Sequence, residues 1–291
     1  METKVIGFAN YKGGVGRTTS VAAIGELLSR YFEKKVLLVD ACGNANLSSM
    51  FRGVGHNSPT ISDYLNNELD VIHHERGAVV LDPLDFCAPA MIDKNMQKRF
   101  MNLDIMCSGG HTTAAYTRMW KEYNDARGII RRMFGFLKAS GKYDYILVDI
   151  PSHFDQVSGF EVMCGLDCLV LPMTPNRLAY TGANTAGCML TEANKYLHKN
   201  FSRTIDFLGG FVNRHSPRTK EGRMVQSSNE RYWGDNHMFS VMIRDSHEVM
   251  EAEGQFWPVT YYKPYSEVSQ NYLALTTEML AAITRSEASV A

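Results

Sequence analysis

The chain predicts an α/β fold, a mostly parallel, twisted sheet with helices on both faces, from three observations. Short, continuously apolar runs recur at Lys4–Ala9, Lys35–Asp40, Tyr145–Asp149 and Cys168–Pro172, the pattern of strands covered on both faces. Between the first two lies Thr19–Phe32, where Val21, Ile24, Leu27, Leu28 and Tyr31 recur at helical spacing, so that strand, loop, helix and strand make a βαβ unit. No repeat, low-complexity tract or Pro/Ser-rich linker breaks the alternation, and residues 1–291 are expected to form a single domain.

Two further runs, Leu103–Cys107 and Phe207–Asn213, predict strands of the same kind. Helical periodicity places helices at Thr60–Leu65, Tyr116–Ala139, Gly182–Lys199, Lys220–Arg231 and Ser266–Arg285. The segment Asn66–Asn102 is the least periodic and is expected to hold irregular structure on one edge.

Composition narrows the function classes. A chain of 291 residues buries a core without staples. With 30 Lys+Arg against 31 Asp+Glu the net charge is -1, which excludes a wholly basic nucleic-acid coat and an acidic disordered tail; any contact with DNA has to come from a local patch. The six cysteines, Cys42, Cys87, Cys107, Cys164, Cys168 and Cys188, contain no CxxC pair. Nothing at the start resembles a secretory leader. The longest apolar run falls far short of the roughly 20 residues that span a bilayer. Free thiols in a cytoplasmic protein are therefore expected. The nine histidines make no HExxH or paired Cys/His spacing, which argues against a zinc site. Cys164 and Cys168 fit buried structural cysteines better than iron–sulfur ligands.

The strongest local signal is Tyr11-Lys-Gly-Gly-Val-Gly-Arg-Thr-Thr19, placed where a strand feeds a helix. Glycines there allow a tight turn and close approach of backbone N–H groups to an anion at the positive end of the helix. The dinucleotide pattern fails because Thr19 stands where its third glycine belongs. The standard P-loop pattern also fails, with Tyr11 at its first glycine and Arg17 at its lysine.

Lys12-Gly-Gly-Val-Gly-Arg-Thr18 resembles the deviant Walker A motif of the ParA/MinD family of P-loop ATPases. The resemblance implies that ATP and Mg²⁺ are bound by Gly13, Gly14, Val15, Gly16, Arg17, Thr18 and Thr19. Lys12 is then the signature lysine that serves the phosphates of a facing subunit in an ATP-dependent homodimer. Arg17 would keep the charge of the second loop lysine in the shape of a fork, Thr18 would supply a hydroxyl to Mg²⁺, and Thr19 one to the α-phosphate. Asp40-Ala-Cys-Gly-Asn-Ala-Asn-Leu-Ser48 resembles the family's first switch, commonly D-x-D-P-Q-x-N-L-S. Asp40 fits, whereas Cys42 stands at the aspartate that positions the attacking water. A neutral thiol does not replace that charge at pH 7, so weak ATPase activity is expected. Asp149, followed by Pro151-Ser152, resembles the Walker B carboxylate and second switch, and joins Thr18 and Asp40 as a Mg²⁺ residue. Pro175 and Asn213 take the places of base contacts, and Met242–Ser246 with Pro258–Tyr262 resembles the family's C-terminal pattern.

The resemblance also implies partners: nonspecific DNA, and a protein that stimulates hydrolysis while cargo is partitioned. Candidate phosphate contacts are Arg214, Arg218, Lys220 and Arg223, with Arg127, Arg131 and Lys138 on another predicted helix; ordinary solvated helix faces explain each cluster equally well. A MinD-like membrane helix is not expected, because Val268, Tyr272, Leu275 and Met279 suit core contacts, and Ser286–Ala291 carries no basic-aromatic stripe. Nucleoid association is the corresponding expectation for location. Two alternatives stay open: a non-hydrolysing scaffold in which Arg17 and Cys42 mark lost catalysis, and an ATP-dependent ligase of the dethiobiotin-synthetase type, for which no carboxylate-pocket motif is present.

Overall fold

Among the described residues seven strands make one sheet: β1 (Lys4–Phe8), β2 (Val36–Asp40), β3 (Ala88–Met91), β4 (Arg99–Met106), β5 (Tyr145–Asp149), β6 (Cys168–Met173) and β7 (Asp206–Val212). Their order is β3-β4-β2-β5-β1-β6-β7, and every pairing is parallel except β3 with β4. The structure is a computed structural model that describes residues 2–53, 57–73, 81–92, 98–122, 128–152, 156–220 and 238–290.

The apolar composition of the central strands dictates this layering, since β2, β5 and β6 are buried at every position. Successive side chains point to opposite faces. Leu37, Val39, Ile146 and Val148 therefore enter one core with α3 (Ile61–Ile72), α4 (Thr112–Lys121), α5 (Ile129–Ala139), α6 (Gln156–Cys164) and α7 (Arg177–Phe201). Leu38, Leu147, Phe8 and Val170 enter the other with α1 (Arg17–Arg30) and α10 (Glu267–Val290), joined by α2 (Asn46–Arg52), α8 (His247–Gly254) and α9 (Val259–Tyr262). Val268, Tyr272, Leu275 and Met279 of α10 are buried, as their spacing suggests. Among the described residues no helix is long and apolar enough to cross a membrane.

Departures from expectation have local causes. The stretch predicted as one helix over Tyr116–Ala139 covers the end of α4, which starts earlier at Thr112, and all of α5, which begins after Gly128, whose φ of 82° is in the left-handed region that glycine tolerates. The aperiodic segment does lie at an edge, but it holds the end of α3 and the strand β3, whose Pro89 and shifted register suit an edge and erase the period-two signal. Helix α3 outruns its prediction from a capping box in which Thr60 and Asp63 satisfy each other's backbone N–H. Tyr31 is not a core residue: α1 stops at Arg30, and Tyr31 is 59% exposed. The helix predicted over Lys220–Arg231 lies outside the described residues beyond Lys220.

Candidate nucleotide site

Parallel strands deliver their C-terminal ends to one edge of the sheet, the usual ligand edge of α/β folds. There Phe8 of β1 pairs in register with Asp149, and Asp149 with Asp40. The loop between β1 and α1 closes over these carboxylates. Gly14 and Gly16 have φ of 75° and 81°, and among the described residues no side chain caps the start of α1, whose first N–H groups suit an anionic acceptor.

Buried polar contacts hold the loop. Asn10, 1% exposed, donates Nδ2 to Pro172 O (2.8 Å) and Ala179 O (3.1 Å), and accepts Lys12 N–H at 2.8 Å. Asn213 donates Nδ2 to Val15 O at 3.1 Å. It stands so close to Gly16 that a Cβ there would lie 2.1 Å from Nδ2. Gly16→Ala should therefore lower unfolding stability by about 2–3 kcal/mol, whereas Gly14→Ala, with nothing among the described residues within 4 Å of its added Cβ, should cost about 1 kcal/mol of backbone strain. Urea unfolding of the two variants checks this; equal losses would mean that Asn213 does not brace the loop.

The charged centre is compact. Thr18 donates Oγ1 to Asp149 Oδ2 at 2.6 Å, while the buried Asp149 Oδ1 has no hydrogen-bond partner among the described residues. Asp40 accepts from Cys42 N (3.0 Å) at Oδ1 and from Ser48 N and Oγ (both 2.8 Å) at Oδ2. Ser108 donates Oγ to Cys42 O at 2.6 Å and so fixes the switch backbone. Burial, and then repulsion from Asp149, push the Asp40 carboxyl up to about 7. Burial also raises Asp149, against the opposing pull of the Arg17 guanidinium and the Thr18 hydroxyl. The Cys42 thiol is pushed well above its ordinary value by burial and then by Asp149 and Asp40, so it is neutral at pH 7.

Arg17 turns back on the loop, donating Nη1 to Asn10 O at 2.8 Å; its Nε is buried with no partner among the described residues. Lys12 is exposed, and its Nζ donates to Gly13 O at 3.2 Å. Thr19 donates Oγ1 to Glu253 Oε1 at 2.7 Å. Beside the loop, a cleft of about 560 Å³ is lined by Gly14, Thr19, Asn213, Arg244, Glu253 and Tyr272 among others. Pro175 is half-buried in the turn before α7 and does not line that cleft. Asn213 both lines it and braces the loop.

Sequence reasoning missed Asn10, Ser108 and Glu253. Asn10 was findable as the polar residue that ends an apolar strand; Ser108 and Glu253 carry no signal apart from the fold. Of the basic candidates, Arg214 pairs with Asp245 at 3.2 Å, and Arg218 and Lys220 follow it in exposed chain. Lys138 pairs with Asp167 at 2.9 Å, and the Arg131 guanidinium lies 4.0 Å over the Phe201 ring. Arg223 and Arg127 lie outside the described residues.

A glycine loop joining a central parallel strand to a helix, beside carboxylates on neighbouring strands, defines a P-loop nucleoside-triphosphatase fold. A family model described as "AAA domain" matches residues 3–203. The chain is 26% identical to the uncharacterized protein Rv1708 of Mycobacterium tuberculosis, over 95% of this chain and 78% of that protein. It is 24% identical to the sporulation initiation inhibitor protein Soj of Bacillus subtilis, over 96% of this chain and 98% of that protein. An ATP complex of Cyanothece McdA superposes with a TM-score of 0.73 at 18% identity, over 96% of this chain and 97% of that one. The chain belongs to the ParA/MinD family of P-loop ATPases.

Proposed function

We propose that the protein is an ATP-dependent dimerising switch of the ParA type, with slow hydrolysis, that binds DNA or cargo as a dimer and is opened by a partner protein. One observation carries the reading: the loop holds a spare cationic donor, Arg17 Nε, and the strand end a spare anionic acceptor, Asp149 Oδ1. A magnesium-bound triphosphate complements both. The donor set suits Mg²⁺, a hard cation that takes oxygen ligands and keeps several waters: Thr18, Asp149 and Asp40 would hold it, and it would neutralise phosphate charge. Gly13 to Gly16 bring backbone N–H groups to the phosphates, Arg17 and Thr19 add side-chain donors, and the cleft beside Asn213 accepts the nucleoside. Thr19 leaves Glu253 to do so. Lys12, with its side chain in solvent, is free to serve a facing copy.

Relatives support the reading through their names, since Soj and chromosome-partitioning ParA proteins match nearly the full chain. DNA binding would rest on Arg214, Arg218, Lys220 and Arg223 from two copies, with steep salt dependence. Cys42 favours a second reading, a nucleotide-binding scaffold that does not turn over.

The test is molecular mass by light scattering with Mg-ATP, Mg-ADP and no nucleotide, with DNA retention followed at two salt concentrations. The expected result is a dimer and DNA retention with Mg-ATP alone. A monomer under all three conditions rules out the switch, and DNA binding indifferent to nucleotide points to the scaffold. Asp149→Asn should weaken Mg²⁺-dependent ATP binding at least about tenfold, read by calorimetry with and without Mg²⁺.

A further inference from the structure

The cluster at the ends of β2 and β5 contains an atom that Mg²⁺ does not use. One oxygen each from Asp40 and Asp149, and Sγ of Cys42, lie within 4.8 Å of one another. Two strands and a loop fix them: Asp40 and Asp149 are register partners, and Cys42 is held through its N–H to Asp40 Oδ1 and its carbonyl to Ser108 Oγ. Asp149 Oδ1 is fully buried with no hydrogen-bond partner among the described residues. Thr18 holds the other oxygen of that carboxylate, and Cys42 Sγ donates to the Asp149 carbonyl oxygen at 3.6 Å, which sets the sulfur beside the same residue.

We propose that Asp40, Cys42 and Asp149 form a site for a thiophilic divalent cation of the Zn²⁺ class, bound directly through two carboxylate oxygens and the Cys42 sulfur without nucleotide. A tetrahedral zinc ion has metal–sulfur bonds of about 2.3 Å and metal–oxygen bonds of about 2.0–2.2 Å, so its ligand atoms stand about 3.5 Å apart. The three atoms already lie within 4.8 Å of one another, so closing onto the ion takes side-chain movement of about an ångström. The fourth position stays open to water. On binding, the Cys42 thiol releases its proton to solvent and the sulfur lone pair forms the metal–sulfur bond. Two positive charges then replace the mutual repulsion of Asp40 and Asp149. Sulfur selects for zinc-like ions and against Mg²⁺, which prefers an all-oxygen shell.

HExxH and paired Cys/His spacings, which this sequence lacks, belong to sites whose ligands lie close together in the chain. Here residues 40 and 149 meet because two parallel strands end side by side, and the position where the family commonly has a third carboxylate supplies sulfur instead. A cation seated there ties the loop after β2 to the end of β5 in the absence of nucleotide.

The probe is Co²⁺, titrated into the nucleotide-free full-length chain and followed by absorption. One equivalent should give a near-ultraviolet thiolate-to-cobalt charge-transfer band, and a 1,000-fold molar excess of Mg²⁺ should leave it in place (about 4 kcal/mol of selectivity). Cys42→Ser should abolish the band and weaken Co²⁺ binding by more than the 10–100-fold that outer-shell losses cost; Cys188→Ser should leave it unchanged. A second measurement needs no variant: Zn²⁺ should protect Cys42, and not the exposed Cys188, from alkylation mapped by mass spectrometry. Absence of the band, its persistence in Cys42→Ser, its loss to Mg²⁺, or equal alkylation of Cys42 with and without Zn²⁺ would each overturn the proposal. None of these measurements contains nucleotide, so their failure leaves the ATP switch standing, and a monomer in Mg-ATP leaves the metal site standing.

Discussion

Cys42→Asp should raise ATP turnover by about 100-fold, the lower end of what a positioned proton acceptor supplies. The wild-type thiol stands beside both carboxylates, and burial with their charges keeps it protonated. It therefore offers no fixed negative charge to orient or polarise water. Aspartate restores that charge where the backbone is already pinned by Asp40 and Ser108. The same variant should be less stable than wild type without nucleotide, because a third carboxylate joins two that already repel, and should regain more stability from Mg-ATP. Phosphate release under single-turnover conditions reads the first effect and thermal unfolding the second. Cys42→Asn, neutral and of similar size, should stay slow; if the aspartate variant stays slow as well, hydrolysis is limited elsewhere, with Arg17 the next residue to change.

Lys12→Ala should lower the Mg-ATP dimerisation constant about 1,000-fold while changing nucleotide affinity of the monomer by less than about threefold. The side chain is exposed and, among the described residues, donates to the carbonyl of Gly13, so its removal leaves no buried partner there unsatisfied in the monomer. In a two-fold dimer it is lost twice, and about 2 kcal/mol for each charge–phosphate contact gives about 4 kcal/mol in all. Sedimentation with Mg-ATP and nucleotide titration below the dimerisation concentration separate the two quantities. A large loss of monomer affinity would mean that Lys12 serves its own phosphates.

The fold was legible where burial is two-sided. Val36–Asp40, Tyr145–Asp149 and Cys168–Met173 stand out because strands covered on both faces need no polar residue, and the glycines before α1 mark the loop because only glycine turns that tightly there. Strand β3 was illegible because an edge strand of four residues with a proline has no period to detect. At the candidate site, the motif singles out Thr18, Asp40 and Asp149, and the structure brings the three together through parallel register and the Thr18–Asp149 hydrogen bond. The brace under Gly16 was not: Asn213 lies 197 residues from it in the chain, and only the fold brings them into contact. Glu253 opposite Thr19 is the same case.

Asn10 has a mechanical meaning. Its one side chain grips the backbone of Lys12, the end of β6 and the first turn of α7, and Tyr11 N–H is bonded to Gly182 O of that helix at 3.2 Å. Gly182 has room for no Cβ against Lys12 N, at 2.7 Å. A displacement of the Lys12 backbone must therefore break these bonds or carry the helix with it. Helix α7 has 25 residues and is about 37 Å long, so a tug at the rim of the loop becomes the swing of a lever whose tip lies about seven turns away, just before β7.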